Sequence, residues 1–224
     1  MVELQDAANV FIDQVIPDSV DSSKSMGIYW FDGEDILHEL VPVTSDKAML
    51  SAGIGSIFPG MSSDNSTDFF GAVIKSAVKA QSILAQFFDQ DITAAASVVL
   101  FTDGRDRANR YLREDAYSAV STAGNDISFF TLGLGNEINA IDLQTIGRNG
   151  TASVADVAQL TTIFQNIAQQ VTNEANSYYF FEYCSPIRNG TSNGLIIEAF
   201  NNQNEVGYIE ASFDATGFGG PCDL

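Results

Sequence analysis

The stretch VVLFTDGRD, residues 98–106, decides how the rest of the chain is interpreted. Its apolar residues lead into Thr102, Asp103 and Gly104, and a run of β-forming residues closed by glycine predicts a buried strand and a turn. Ligands bind at the carboxyl edge of the sheet in open α/β folds, so an aspartate there is a candidate site residue. Asp103 either caps the turn or binds a ligand, and its surroundings must decide between the two.

The composition predicts a globular and strongly acidic protein. The 224 residues suit one large domain with a small appendage, and 45% of them are hydrophobic. Acidic residues outnumber basic ones 29 to 10, which gives a formal net charge of −19. Such a surface repels phosphate backbones and anionic lipid, so we expect no nucleic-acid partner. The chain has no apolar run of membrane-spanning length, so we also expect no membrane insertion.

Hydrophobic periodicity predicts strands that alternate with helices up to residue 176. Residues 3–16 read as an amphipathic helix, and residues 26–31 and 36–41 as a hairpin turned at Asp32-Gly33. A long helix starts near residue 68, with Thr67 where an N-cap belongs. Further strands are predicted at 97–102, 127–135 and 151–155, and helices at 46–52, 113–123, 139–147 and 156–175. This order predicts a mainly parallel sheet covered by helices on both faces.

The alternation of predicted strands and helices ends after residue 177. The segments SYYFFEYC, GLIIEAF and VGYIEASFDA predict strands joined by turns, without helices between them. We therefore predict an α/β domain at residues 1–176 and a β appendage at 177–224. The appendage contains Cys184 and Cys222, which are either bonded to each other or are two reduced structural thiols. A disulfide, which we favour, would indicate an oxidising compartment.

Several motifs together resemble the von Willebrand factor type A domain over residues 3–175. They are the hairpin MGIYWFDGEDILHEL, the threonine-led helix NSTDFFGAVIKSAV, the strand VVLFTDGRD, and FFTLGLG followed by LQTIGRNGTASVAD. In that family the carboxyl edge of the sheet holds a divalent cation at a metal-ion-dependent adhesion site. The resemblance implies that Thr67 and Asp103 are metal ligands, and that the ion is Mg²⁺, or Ca²⁺ or Mn²⁺, in the intact domain.

The resemblance also shows what this chain lacks. The family takes further oxygen ligands from a D-x-S-x-S loop after its first strand, and neither that strand nor that loop is found here. Asp21, Ser23 and Ser25 match the loop pattern, but they follow a helix and lead into a strand, so we interpret them as a solvated turn. We therefore expect weak or no magnesium binding by this chain. We also expect that it was cut from a longer protein, or that another segment fills the gap.

The resemblance implies an adhesion module and not an enzyme. No nucleophile has an adjacent base, because His38, the only histidine, is expected on the surface of a hairpin strand. No glycine-rich phosphate loop occurs either. Arg105, Asp106 and Arg107 are expected in a solvated charged loop, with the rim of a ligand face as the alternative.

The implied function is a protein-binding module of a bacterial surface or secreted protein, in an extracellular, cell-surface or periplasmic location. Its partner would be a protein ligand that offers a carboxylate to the metal. The alternative is a structural subunit with a vestigial metal site, which docks partners through the β appendage.

Overall fold

The computed structural model describes residues 1–16, 23–135, 137–177, 183–200, 202–203 and 205–219. The chain separates into two units, Met1–Tyr178 and Tyr179–Leu224. The predicted domain division at residue 176 remains a prediction, because a separation by contacts does not show that either unit folds alone.

The first unit alternates strands and helices, as the periodicity predicted. Its helices are α1 (Val2–Val15), α2 (Lys47–Gly55), α3 (Phe69–Phe88), α4 (Arg113–Thr122), α5 (Ala140–Ile146) and α6 (Leu160–Ala175). Its strands are β1 (Met26–Trp30), β2 (His38–Thr44), β3 (Ala96–Thr102), β4 (Ile127–Leu134) and β5 (Gly150–Val154). A 3₁₀ turn at Val157–Gln159 precedes α6.

Strand β4 is the centre of the core. It pairs in parallel with β3 on one side and with β5 on the other, and all of its residues but the last are buried. Phe129 packs with α3, α4 and α5, whereas Phe130 and Leu132 pack with α1 and α6. Side chains that alternate along one strand thus reach helices on both faces. The predicted α/β fold class, with a parallel sheet and helices on both faces, is confirmed.

The strands of this unit form two separate sheets. The antiparallel hairpin β1–β2 is one sheet, and the parallel set β3-β4-β5 is the other. Among the described strands, β1 therefore pairs only with β2, and β3 only with β4. The mainly parallel sheet expected from the sequence is interrupted between β1 and β3.

The second unit contains the antiparallel pair β6 (Asn193–Phe200) and β7 (Val206–Phe213). The predicted strand SYYFFEYC lies largely outside the described residues. Cys184 is not a free thiol, but Cys222 also lies outside them, so the Cys184–Cys222 disulfide remains a prediction. Within the described parts of the chain, no helix is long and apolar enough to cross a membrane.

Candidate metal-binding edge of the sheet

The carboxyl ends of β1 and β3 reach the same short connection before α3. Beyond β1, the carbonyl oxygen of Asp32 accepts a 2.7 Å hydrogen bond from the Asp68 amide. Beyond β3, the Arg107 amide donates a 2.9 Å bond to the carbonyl oxygen of Thr67. Both carboxyl ends therefore lie at one edge of the fold. This is the edge at which ligands bind in open α/β folds.

Thr67 lies beside the turn that contains Asp103. Its hydroxyl oxygen is 3.6 Å from the point that a Cβ atom at Gly104 would occupy. The turn is closed by Thr102, whose hydroxyl donates to the Gly104 carbonyl at 2.8 Å and accepts from the Gly104 amide at 3.2 Å. Asp103 is exposed, and its carboxylate makes no hydrogen bond with the described residues. Asp103 is thus not the turn cap, and its role as a metal ligand remains a prediction.

Two other aspartates at this edge have structural roles that the sequence did not reveal. The N-cap of α3 is Asp68 and not Thr67, because the Asp68 carboxylate accepts from the Gly71 amide at 3.2 Å. Asp106 accepts from the Phe70 amide at 3.0 Å and therefore also binds the start of α3. Arg105, Asp106 and Arg107 lie in a loop, as expected, but Asp106 is half-buried and not fully solvated. Exposed amides at a helix start attract carboxylates from distant loops as well as from neighbours in sequence.

Charge at the edge is dominated by carboxylates with few cations among them. Burial raises the pKa of Asp68, although Lys75 Nζ lies 3.3 Å from its carboxylate and favours the ionised form. Lys75 is shared with Asp35, and Arg107 pairs with Glu137. These cations are therefore engaged in ion pairs, which leaves the exposed Asp103 as a candidate ligand for a cation.

A groove separates β1 from β3. It has a volume of about 200 Å³ and is lined by Met26 and Ile28 of β1, and by Ser97 and Val99 of β3. Phe11 of α1 and Phe164 of α6 form part of its walls. Among the described strands none pairs with the strand edges along this groove. An extended segment bound here would join the two sheets.

A second group of metal-ligand side chains lies on the hairpin. Asp32, Glu34 and His38 each offer one ligand atom, and these atoms lie within 4.8 Å of one another. Burial alone would raise the pKa of Asp32, but hydrogen bonds from the Glu34 amide, Ser62 and the Asp64 amide outweigh it and lower that pKa. Sequence analysis placed His38 on the strand surface and missed this group. The spacing D-x-E-x-x-x-H across a hairpin turn was the signal that could have revealed it.

The turn that mimics the family loop is only partly described. Asp21 lies outside the described residues, whereas Ser23 and Ser25 precede β1 and are exposed.

Comparison with solved structures identifies the fold. No family model and no curated protein sequence matches the chain. It is similar to a von Willebrand factor type A structure from Catenulispora acidiphila, with 15% identity, a TM-score of 0.58 and coverage of 76% of this chain and 38% of that one. Proximal thread matrix protein 1 from the mussel byssus, with a zinc-occupied MIDAS motif, gives 14% identity, a TM-score of 0.60 and coverages of 76% and 42%.

A third similar structure is the vWF domain of the type V pili tip protein Mfa5 from Porphyromonas gingivalis. It gives 12% identity, a TM-score of 0.57 and coverages of 81% and 91%. The chain thus has a von Willebrand factor type A-like fold, as its motifs indicated, and it spans about two fifths of the first two structures.

Proposed function

We propose that this chain is a non-enzymatic adhesion or protein-binding module that acts outside the cytoplasm. The observation that carries the proposal is the position of Thr67 beside the Asp103 turn, at the edge where β1 and β3 end. A hydroxyl and an exposed carboxylate are hard oxygen ligands, which Mg²⁺, Ca²⁺ and Mn²⁺ prefer. A carboxylate from a protein partner would complete the coordination shell. A pilus tip protein and a byssal thread protein carry the same fold, which supports an adhesive role.

The metal site of this module is incomplete in the present chain. Thr67 and Asp103 together provide too few oxygens to strip water from a magnesium ion at useful affinity. A strand bound in the groove between β1 and β3 would deliver the remaining ligands if its carboxyl end lay at this edge, as the carboxyl ends of β1 and β3 do. We therefore propose weak magnesium binding by the chain alone and stronger binding once the groove is filled.

The test is pull-down of surface and secreted proteins with the immobilised chain, in calcium-and-magnesium buffer and in chelator. Partner binding should be lost in chelator and in the double variant Thr67→Ala/Asp103→Ala. Asp126→Ala is the matched control, because Asp126 is an exposed aspartate at the start of β4, the opposite edge of the sheet. Binding that is indifferent to chelator would eliminate the metal bridge.

A structural subunit is the second candidate, and the hairpin β6–β7 favours it. This hairpin exposes large apolar side chains along both strands, including Ile196, Phe200, Val206, Tyr208 and Ile209. Tyr208 is 66% exposed on the face that it shares with Ile196, Phe200 and Val206, and Ile209 is 63% exposed on the opposite face. Exposed apolar surface of this kind marks interaction sites. The double variant Tyr208→Ser/Ile209→Ser should then abolish partner capture, whereas Thr67→Ala/Asp103→Ala should leave capture intact.

A further inference from the structure

His38 is held in a fixed orientation with an unsatisfied ring nitrogen. Its imidazole stacks on the Trp30 indole, with ring centroids 3.9 Å apart and an interplanar angle of 9°. The Nε2 atom is buried and has no hydrogen-bond partner among the described residues. A buried polar atom without a partner costs free energy, so this position calls for a ligand.

Two carboxylates face that nitrogen without bonding to it. His38 Nε2 lies 3.9 Å from Asp32 Oδ1 and 3.8 Å from Glu34 Oε2. A charge-assisted hydrogen bond between an imidazolium and a carboxylate would bring the atoms to about 2.7–2.9 Å. The three atoms therefore surround a space and do not form a closed ion pair.

The carboxylates are positioned by the hairpin turn. Asp32 accepts hydrogen bonds from the Glu34 amide at 2.8 Å and from the Ser62 hydroxyl at 2.9 Å. The Ser63 hydroxyl donates to Glu34 Oε1, which leaves Oε2 directed toward His38. The Asp32 side chain is only 4% exposed, whereas that of Glu34 is 39% exposed. Asp32 is thus a fixed ligand, and Glu34 can move to admit and close around an ion.

The donor set selects the class of ion. One imidazole nitrogen and two carboxylate oxygens suit Zn²⁺ and similar transition metals, whereas Mg²⁺ prefers oxygen ligands alone. Zinc bonds of about 2.0–2.2 Å in a tetrahedron place neighbouring ligand atoms roughly 3.3–3.5 Å apart. The observed separations from Nε2 exceed this by about half an ångström. A rotation of the Glu34 side chain would shorten the separation from Glu34, and a small tilt of the His38 ring would shorten the separation from Asp32. Three protein ligands leave a fourth position for water or for a group from a partner.

From this geometry we propose that Asp32, Glu34 and His38 form a transition-metal site of the Zn²⁺ class, separate from Thr67 and Asp103. The inference does not depend on the proposed adhesive function, because neither Thr67 nor Asp103 belongs to the group.

The sole histidine and the sole tryptophan of the chain are adjacent, which gives two site-specific readouts. Zn²⁺ alone should shift the imidazole resonances of His38 in nuclear magnetic resonance spectra. Co²⁺ alone should quench Trp30 fluorescence, and Zn²⁺ should compete with it. Mg²⁺ at the same concentration should do neither.

Single variants test whether the metal binds at this site or at other carboxylates of the acidic surface. His38→Gln should abolish saturable quenching, and Glu34→Gln should weaken Co²⁺ affinity by at least about ten-fold. Glu39→Gln is the matched control, since Glu39 lies on the same strand next to His38 and pairs with Lys79. Glu39→Gln and Thr67→Ala/Asp103→Ala should both bind as the unmodified chain does, with circular dichroism verifying the fold. Unshifted His38 resonances, or quenching that survives His38→Gln, would overturn the proposal.

Discussion

Asp32 joins three parts of the molecule with one side chain and one carbonyl. Its carboxylate closes the hairpin turn through the Glu34 amide and fixes Ser62 of the following connection. Its carbonyl binds the Asp68 amide and thereby ties the hairpin to the start of α3. The negative charge of this carboxylate therefore contributes to stability as well as to the hairpin metal site.

Asp32→Asn should lower the free energy of unfolding by about 1–2 kcal/mol at pH 7, because hydrogen bonds to a charged acceptor become bonds to a neutral one. The pKa of Asp32 is lowered from its ordinary value of 3.8. Its contribution is therefore complete above that value and is lost as the pH falls through the lower folded-state pKa. Urea unfolding in chelator should therefore show that the difference in unfolding free energy between the unmodified chain and Asp32→Asn shrinks below pH 3.8. A difference that stays constant down to acid pH would contradict a stabilising role for the Asp32 charge.

Leu132 tests the packing of the central strand. It is 0% exposed, in the cluster formed with α1 and α6. Leu132→Ala should cost about 2–5 kcal/mol, because the lost contacts are compounded by a cavity. Val78→Ala is the control, since Val78 is 60% exposed on α3 and its truncation should change stability by no more than about 0.5 kcal/mol. Urea denaturation measures the unfolding free energy of both variants. If the two variants lost equal stability, β4 would not be at the centre of the core.

At the scale of elements, the sequence predicted nearly all helices and strands of the first unit. Apolar patterning alone was enough to predict α3, α6 and β4. Their apolar side chains are buried against neighbouring elements, so the pattern in the sequence matches the buried face in the structure. The second hairpin strand was misplaced, since it begins at His38 and not near residue 36. The Asp32 side chain bonds to the Glu34 amide, and this wide turn delays the pairing with β1.

The candidate sites were harder to predict than the fold. Asp103 and Thr67 were predicted as metal ligands from motifs, and the structure places Thr67 beside Gly104, the residue that follows Asp103. The caps supplied by Asp68 and Asp106 depend on which loop meets the α3 amides, and a single sequence does not show that. The His38 group was missed because its members come together only through the hairpin register and the stacking on Trp30.

Amide hydrogen exchange should distinguish the two sides of β3. Residues 128–132 of β4 all pair with β3, and residues 130–132 also pair with β5, so this segment should exchange most slowly. In β3, the alternate amides that point to β4 should be protected, and those that point into the groove should exchange far faster, because no described strand accepts them. If residues 128–132 exchanged as quickly as the connection at 58–66, the parallel core described above would be wrong.

At the scale of the whole molecule, the groove between β1 and β3 should accept a strand. Extending the chain ahead of Val2 by a strand that ends in D-x-S-x-S should raise the melting temperature by at least about 5 °C, because it pairs both open edges. The same extension should raise magnesium affinity, because the loop adds oxygen ligands near Thr67 and Asp103. Calorimetry measures both properties.

Two control extensions separate these effects. A strand whose D-x-S-x-S residues are replaced by alanine should raise the melting temperature without raising magnesium affinity. An extension with proline at alternate positions should do neither, because proline cannot donate to a strand partner. Tight magnesium binding by the unextended chain that is lost in Asp103→Ala would contradict the expectation of an incomplete site.

The edges of β1 and β3 along the groove also affect how copies of the chain associate. Strand edges that no described strand covers are templates for pairing with other chains, and here they coexist with a net charge of −19 that keeps copies apart. The Debye length shrinks from about 10 Å at 0.1 M salt to about 3 Å at 1 M, so added salt removes that repulsion but leaves the edges in place. We therefore expect the solubility of this protein to fall as ionic strength rises, and light scattering should detect growing particles as salt is added.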